Sequence, residues 1–110
     1  MPCQLRPYPG IRVFTAPTGA NVMMYIGSAS GLAKLTAVTL NGNPLAITDD
    51  LTFFFTMGSG IDVVRITVVS PNAGDTIQVF EDCGGGQNQK IDEYPYDSND
   101  PVRGYRIVGN

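Results

Sequence analysis

Thr52-Phe53-Phe54-Phe55-Thr56-Met57, then Gly58-Ser59-Gly60, then Ile61-Asp62-Val63-Val64-Arg65-Ile66-Thr67-Val68-Val69: two runs rich in aromatic and β-branched residues flank a glycine-bearing triplet. Such side chains suit a pleated, half-buried surface, and the triplet marks a chain reversal. Successive side chains of a strand point to opposite faces, so Phe53, Phe55 and Met57 form one core face. Pro71-Asn72-Ala73-Gly74-Asp75 closes the second run, and Thr76 to Cys83 supplies its partner.

The same grammar extends upstream. Leu35 to Leu40 meets Asn41-Gly42, a pair that tolerates the positive φ angles of a tight hairpin. Pro44 cannot donate to a ladder, which confines the returning stretch Leu45 to Thr48 to an edge. Asp49-Asp50 turns the chain again. Ile11 to Ala16 is a strand stopped by Pro17-Thr18-Gly19, and Asn21 to Ile26 is another, with Val22, Met24 and Ile26 on one face. Residues 1–10, with Pro2, Pro7, Pro9 and Gly10, read as an extended leader. Turn signals at about every eight to fifteen residues predict an all-β chain, a small antiparallel β-sandwich of about seven short strands. Residues 11–83 form its core.

From Gly84 the pattern changes. Gly84-Gly85-Gly86 and the acidic, turn-rich stretch beyond Ile91 predict an irregular loop, ending in a short strand around Tyr105-Arg106-Ile107-Val108 that packs back on the core.

Composition agrees with this architecture. Of 110 residues, 43% are hydrophobic and only 15% charged, and 13 Gly and 8 Pro leave no room for long helices. A net charge of −3 and a pI near 4.5 argue against nucleic acid, which needs clustered Lys and Arg, and the seven basic residues are scattered along the chain. No apolar run reaches the eighteen or so residues of a membrane span. The N-terminus lacks the apolar segment of a signal peptide, so the chain reads either as cytoplasmic or as a mature chain whose export signal has been removed.

Cys3 and Cys83 are the two cysteines. Their separation excludes a C-x-x-C redox motif or a metal knuckle. A Cys3–Cys83 disulfide would close a loop of about 80 residues, for which chain entropy gives roughly 4.5 kcal/mol, and would imply a periplasmic or extracellular setting. Two free thiols in a reducing compartment are the alternative.

The chain has no histidine. That removes Ser–His and Cys–His nucleophile activation and histidine zinc sites, so no catalytic residue, cofactor site or metal site is expected. Asp92, Glu93, Asp97, Asn99 and Asp100 could gather around calcium, but Asp97-Ser98-Asn99-Asp100-Pro101 lacks the spacing and glycine of an EF-hand loop. A solvated acidic loop accounts for them. Gly84-Gly85-Gly86 follows a strand, as a phosphate loop does, yet no Lys-Ser/Thr follows it.

Apolar residues remain on both faces of the central runs. Phe54 opposes Phe53 and Phe55, while Ile61, Val63 and Val69 oppose Val64, Ile66 and Val68. Phe54, Ile61, Val63 and Val69 are therefore the candidate interaction face. Either residues 84–110 cover this second face, or a partner does, and cover from within the chain is the simpler account.

Val38-Thr39-Leu40-Asn41-Gly42, Gly60-Ile61-Asp62-Val63-Val64-Arg65-Ile66-Thr67-Val68 and Gly74-Asp75-Thr76-Ile77-Gln78-Val79 together resemble bacterial immunoglobulin-like modules over residues 37–81. The resemblance implies an Ig-like sandwich and brings no site residues with it. The function expected is a non-catalytic binding or structural module acting through a sheet face or edge, on a protein partner or on itself. The alternatives are a subunit of a larger assembly such as a virion, pilus or secretion apparatus, and a histidine-free hydrolase or calcium-dependent module.

Overall fold

The computed structural model describes residues 4–84, 86 and 88–110. Ten strands follow in chain order: β1 (Arg6–Pro7), β2 (Val13–Ala16), β3 (Asn21–Ser28), β4 (Lys34–Leu40), β5 (Asn43–Pro44), β6 (Thr52–Thr56), β7 (Gly60–Val69), β8 (Thr76–Asp82), β9 (Gln89–Pro95) and β10 (Val102–Gly109). They form two sheets, one ordered β1-β2-β10-β7-β4-β5 and the other β6-β3-β8-β9. The all-β sandwich is as the sequence predicts. Among the described residues the strands number ten rather than about seven, and the pairing is not wholly antiparallel, because β2 and β10 run parallel. Nor do β6 and β8 pair with β7 as the sequence suggests: both pair with β3 in the other sheet, and β7 pairs with β4 and β10, so the turns at 58–60 and 71–75 cross between layers.

The expected irregular C-terminal loop is the main correction. Residues 89–95 form β9 at the edge of the four-stranded sheet, and β10 lies between β2 and β7 inside the six-stranded one. Polar residues hide β9 from a periodicity reading: Gln89-Lys90-Ile91-Asp92-Glu93-Tyr94 carries little apolar alternation because its outer side is wet. The leader also departs from expectation. Leu5 is fully buried, and Arg6–Pro7 pairs with β2.

The core lies between the sheets. Val64, Ile66 and Val68 of β7 face Phe53 and Phe55 of β6, Val22, Met24 and Ile26 of β3, and Ile77 and Val79 of β8, all buried. Burial of this β-branched and aromatic surface drives the sheets together at roughly 25 cal/mol per Å² of apolar area. Local chemistry sets the corners. Asn41 (φ 53°) and Gly42 (φ 84°) make the expected hairpin, and the Asn41 amide braces it by donating to Asp62 Oδ1 (2.9 Å) and accepting from Val63 N–H (2.8 Å). Asp49 and Asp50 also take left-handed angles. At the far end of β10, a Cβ on Gly109 would collide with the Gly58 carbonyl, so that strand end needs glycine.

Both edges of the six-stranded sheet are two-residue strands containing a proline, Pro7 and Pro44. β9 protects its edge with Lys90, Asp92, Glu93 and Pro95. β6 (Thr52-Phe53-Phe54-Phe55-Thr56) has no charge and no proline. Three edges are blunted against strand addition and one is not.

Candidate functional site

The outer face of the six-stranded sheet holds a cleft of about 560 Å³, lined by Pro9, Gly10, Ile11, Arg12, Val13, Val63, Arg65, Gly104, Tyr105 and Arg106. Strand register builds it. Arg106 of β10 stands between Val13 of β2 and Val63 of β7, and Arg65 of β7 stands opposite Gly104. Arg65 and Arg106 are thus diagonal neighbours across one strand pair. Gly104 contributes no side chain, which leaves the floor open beside Arg65.

The third arginine comes from the loop before β2. Arg12 takes a left-handed backbone angle (φ 53°), its Nε donates to the Gly104 carbonyl (2.9 Å), and its own carbonyl accepts from Arg106 N–H (3.0 Å). A non-glycine residue at such an angle costs free energy and persists only where its surroundings hold it there. The loop is closed below it by Tyr8 N–H donating to the Val13 carbonyl (3.0 Å). Arg12 is a fixed rim rather than a mobile side chain.

The electrostatics of the cleft are one-signed. Ion pairs among the described residues join Lys34 with Asp50, Lys90 with Glu93 and Arg103 with Asp92, so Arg12, Arg65 and Arg106 have no carboxylate partner there. No acidic residue lines the cleft. Like charges at neighbouring cross-strand positions repel, and an anion bound between them relieves that repulsion.

A second cluster spans the sandwich from sheet to sheet. Arg103 of β10 grips Asp92 of β9 with two hydrogen bonds, Nε to Oδ2 (2.9 Å) and Nη2 to Oδ1 (3.3 Å), while Tyr105 Oη donates to Oδ2 (2.7 Å). The guanidinium also lies over the Tyr94 ring, 4.2 Å from its centroid. Burial works to raise the Asp92 carboxyl, but the bonds from Arg103 and Tyr105 outweigh it and hold the group below the usual carboxylate range. Burial, reinforced by Asp92, pushes the Tyr105 phenol well up, and burial takes Tyr94 up to about 12. None of these groups exchanges protons near neutral pH. The cluster is a latch between the sheets.

Glu81 differs from both. It points into the core at 0% exposure, its Oε1 accepting from Leu5 N–H (3.3 Å) and its Oε2 without a hydrogen-bond partner among the described residues. Burial pushes its carboxyl up to about 7. It lies outside the cleft, sealed from solvent.

The residues singled out from sequence are placed as follows. Ile61 (60% exposed), Val69 (41%) and half-buried Val63 share the outer face of β7, as the alternation implies. Phe54 (57% exposed) is on the outer side of the other sheet, so the four do not form one surface. The outer face of β7, where Ile61 and Val69 stay exposed, is not covered by the described residues beyond Cys83. They widen both sheets sideways, because β10 uses Tyr105 and Ile107 to fill the core instead. Cys83 is disulfide-bonded and 5% exposed, while Cys3, the other half of the expected pair, lies outside the described residues.

Asp92 and Glu93 are engaged by Arg103 and Lys90, and no group of three or more His, Cys, Asp or Glu side chains converges among the described residues. The Gly84-Gly85-Gly86 loop falls partly outside them. The arginine cleft itself was missed by sequence reading. Arg12, Arg65 and Arg106 are far apart in the chain, and the one local signal was an arginine at an outward position in each of two apolar strands. No protein-family model, curated protein or solved structure matches the chain.

Proposed function

We propose that the chain is a non-catalytic binding module that engages a protein partner through the outer face of its six-stranded sheet. The supporting observation is that this face stays open and apolar around the cleft, with Ile11 (83%), Ile61 (60%), Val69 (41%) and Val102 (45%) exposed. Isolated surface apolar residues are ordinary, but several on one sheet face around a concavity mark an interaction site. The test is affinity capture with the wild type beside an Ile61→Asp/Val102→Asp variant. A protein retained by the wild type, lost with the variant and co-eluting as a stoichiometric complex is the expected result. The same set of proteins retained by both would overturn the reading.

An immunoglobulin-like description of the sandwich belongs to the same proposal. It is supported by the adjacency of β4, β7 and β10, in the places of strands C, F and G, and by the pairing of β3 with β6, as strands B and E. The β8–β9 hairpin then sits beside β3, where a first strand would stand.

The open β6 edge favours a second reading, a subunit that assembles by strand addition. Light scattering over a concentration series would then show growing oligomers for the wild type and a monomer for Phe54→Lys, whose charge blunts the edge. A wild type that stays monomeric throughout would discard it.

A further inference from the structure

We propose that the Arg12–Arg65–Arg106 cleft is the recognition pocket for an acidic segment of the protein partner, a stretch of extended peptide carrying at least two carboxylates spaced by apolar residues. This rests on the reading above, that the partner is a protein and that it docks on this face.

Charge complementarity is the first argument. In a chain with 10 acidic and 7 basic residues, three of the basic ones meet in one cleft with no carboxylate among them. Planar guanidinium groups present paired N–H donors that match a carboxylate bidentately. Arg12 is preorganised for this: its Nε is spent on the Gly104 carbonyl, which holds the side chain in place and leaves its two terminal nitrogens for a ligand. Preorganisation lowers the ordering cost of binding.

The shape and lining choose the occupant. At about 560 Å³ the cleft is far larger than one tetrahedral anion, and Ile11, Val13 and Val63 share its wall with the arginines. Anion nests that take a lone phosphate are small and made of converging backbone N–H groups. An open trough alternating guanidinium and aliphatic surface instead fits a peptide whose carboxylates and aliphatic side chains alternate. Nucleic acid is disfavoured by the net charge of −3 on the chain as a whole, which the three arginines do not reverse.

The experiment is fluorescence anisotropy of the full chain against a labelled octapeptide alternating glutamate and leucine, with its lysine-for-glutamate counterpart as control. Saturable binding of the glutamate peptide, weakened by added salt, is expected, with no binding of the lysine peptide. Arg65→Glu/Arg106→Glu should weaken it about tenfold, since two attractive contacts become repulsive. Both side chains are exposed, so the variant keeps its core, which a thermal melt checks. Thr56→Asp, at an exposed position of β6 in the other sheet, should leave peptide binding within about twofold. No saturable binding, or equal binding by the arginine variant, would overturn the acidic-segment assignment. So would displacement of the peptide by low-millimolar inorganic phosphate, which would mark a plain oxyanion site. Loss of peptide binding in the arginine variant with no partner captured in the paired experiment would instead count against the face-docking reading alone.

Discussion

Asp92→Ala is expected to lower the stability of the fold by about 3 kcal/mol, the low end of the cost of breaking a buried charge pair by removing one partner. The substitution leaves the Arg103 guanidinium, 28% exposed, inside the sandwich without its counter-charge, and strands the Tyr105 hydroxyl at the same time. The low end applies because that residual exposure lets water screen part of the orphaned charge. For a domain of this size the loss corresponds to a fall in Tm of roughly 12–20 °C. Tyr105→Phe removes one bond to the same carboxylate and keeps the ring in the core, so it should cost about half as much. Chemical denaturation of the three proteins decides the matter. An Asp92→Ala loss below about 1 kcal/mol would mean that the cluster decorates the sandwich rather than fastening its sheets.

Glu81→Gln should convert a pH-dependent stability into a flatter one. The ordinary value of the carboxyl is 4.5, and in the folded chain it is pushed up to about 7. Between those values the folded protein holds a proton that the unfolded chain has released. Stability is therefore full below about pH 4.5 and is lost as pH rises through 7. At about 1.4 kcal/mol for each pH unit, the loss comes to a little over 3 kcal/mol above neutrality. Glutamine keeps the shape and an amide where the protonated carboxyl stood, so the variant should melt close to the wild type at pH 4.5. At pH 8 it should be more stable by up to about 3 kcal/mol. Melting curves that run parallel across this range would show that Glu81 is solvated in a way its burial does not suggest.

The parts of this fold legible in the sequence share one property: their signal is local. Phe53, Phe55 and Met57 declare a buried face by alternation alone, and Asn41-Gly42 declares a hairpin because both residues accept positive φ. β9 was not legible, since an edge strand with one wet side needs no apolar repeat and its Lys90, Asp92 and Glu93 resemble a loop. The place of β10 was not legible either, because a parallel pairing between Val13–Ala16 and Arg106–Gly109 leaves no turn to read. The candidate site depends on that pairing. Arg106 reaches Arg12 only because the last strand lies beside β2, so the cleft stayed hidden while Ile61, Val63 and Val69 were found on their strand. Glu81 was hidden for the opposite reason. It occupies a core position in the clean alternation of Ile77, Val79 and Glu81, where a carboxylate reads as a solvent-facing residue.

The insertion of β10 between β2 and β7 also sets a timetable. In chain order, every strand of the four-stranded sheet is complete by Pro95, but β1 and β2 have no route to the rest of their own sheet except through residues 102–109. The contact between residue 13 and residue 106 spans almost the whole length, and closures of that span are slow relative to hairpins. Until that closure the molecule has one complete layer and one gapped layer, and the apolar inner surfaces wait for β10 to dock. Refolding is therefore limited by the docking of β10 rather than by any hairpin.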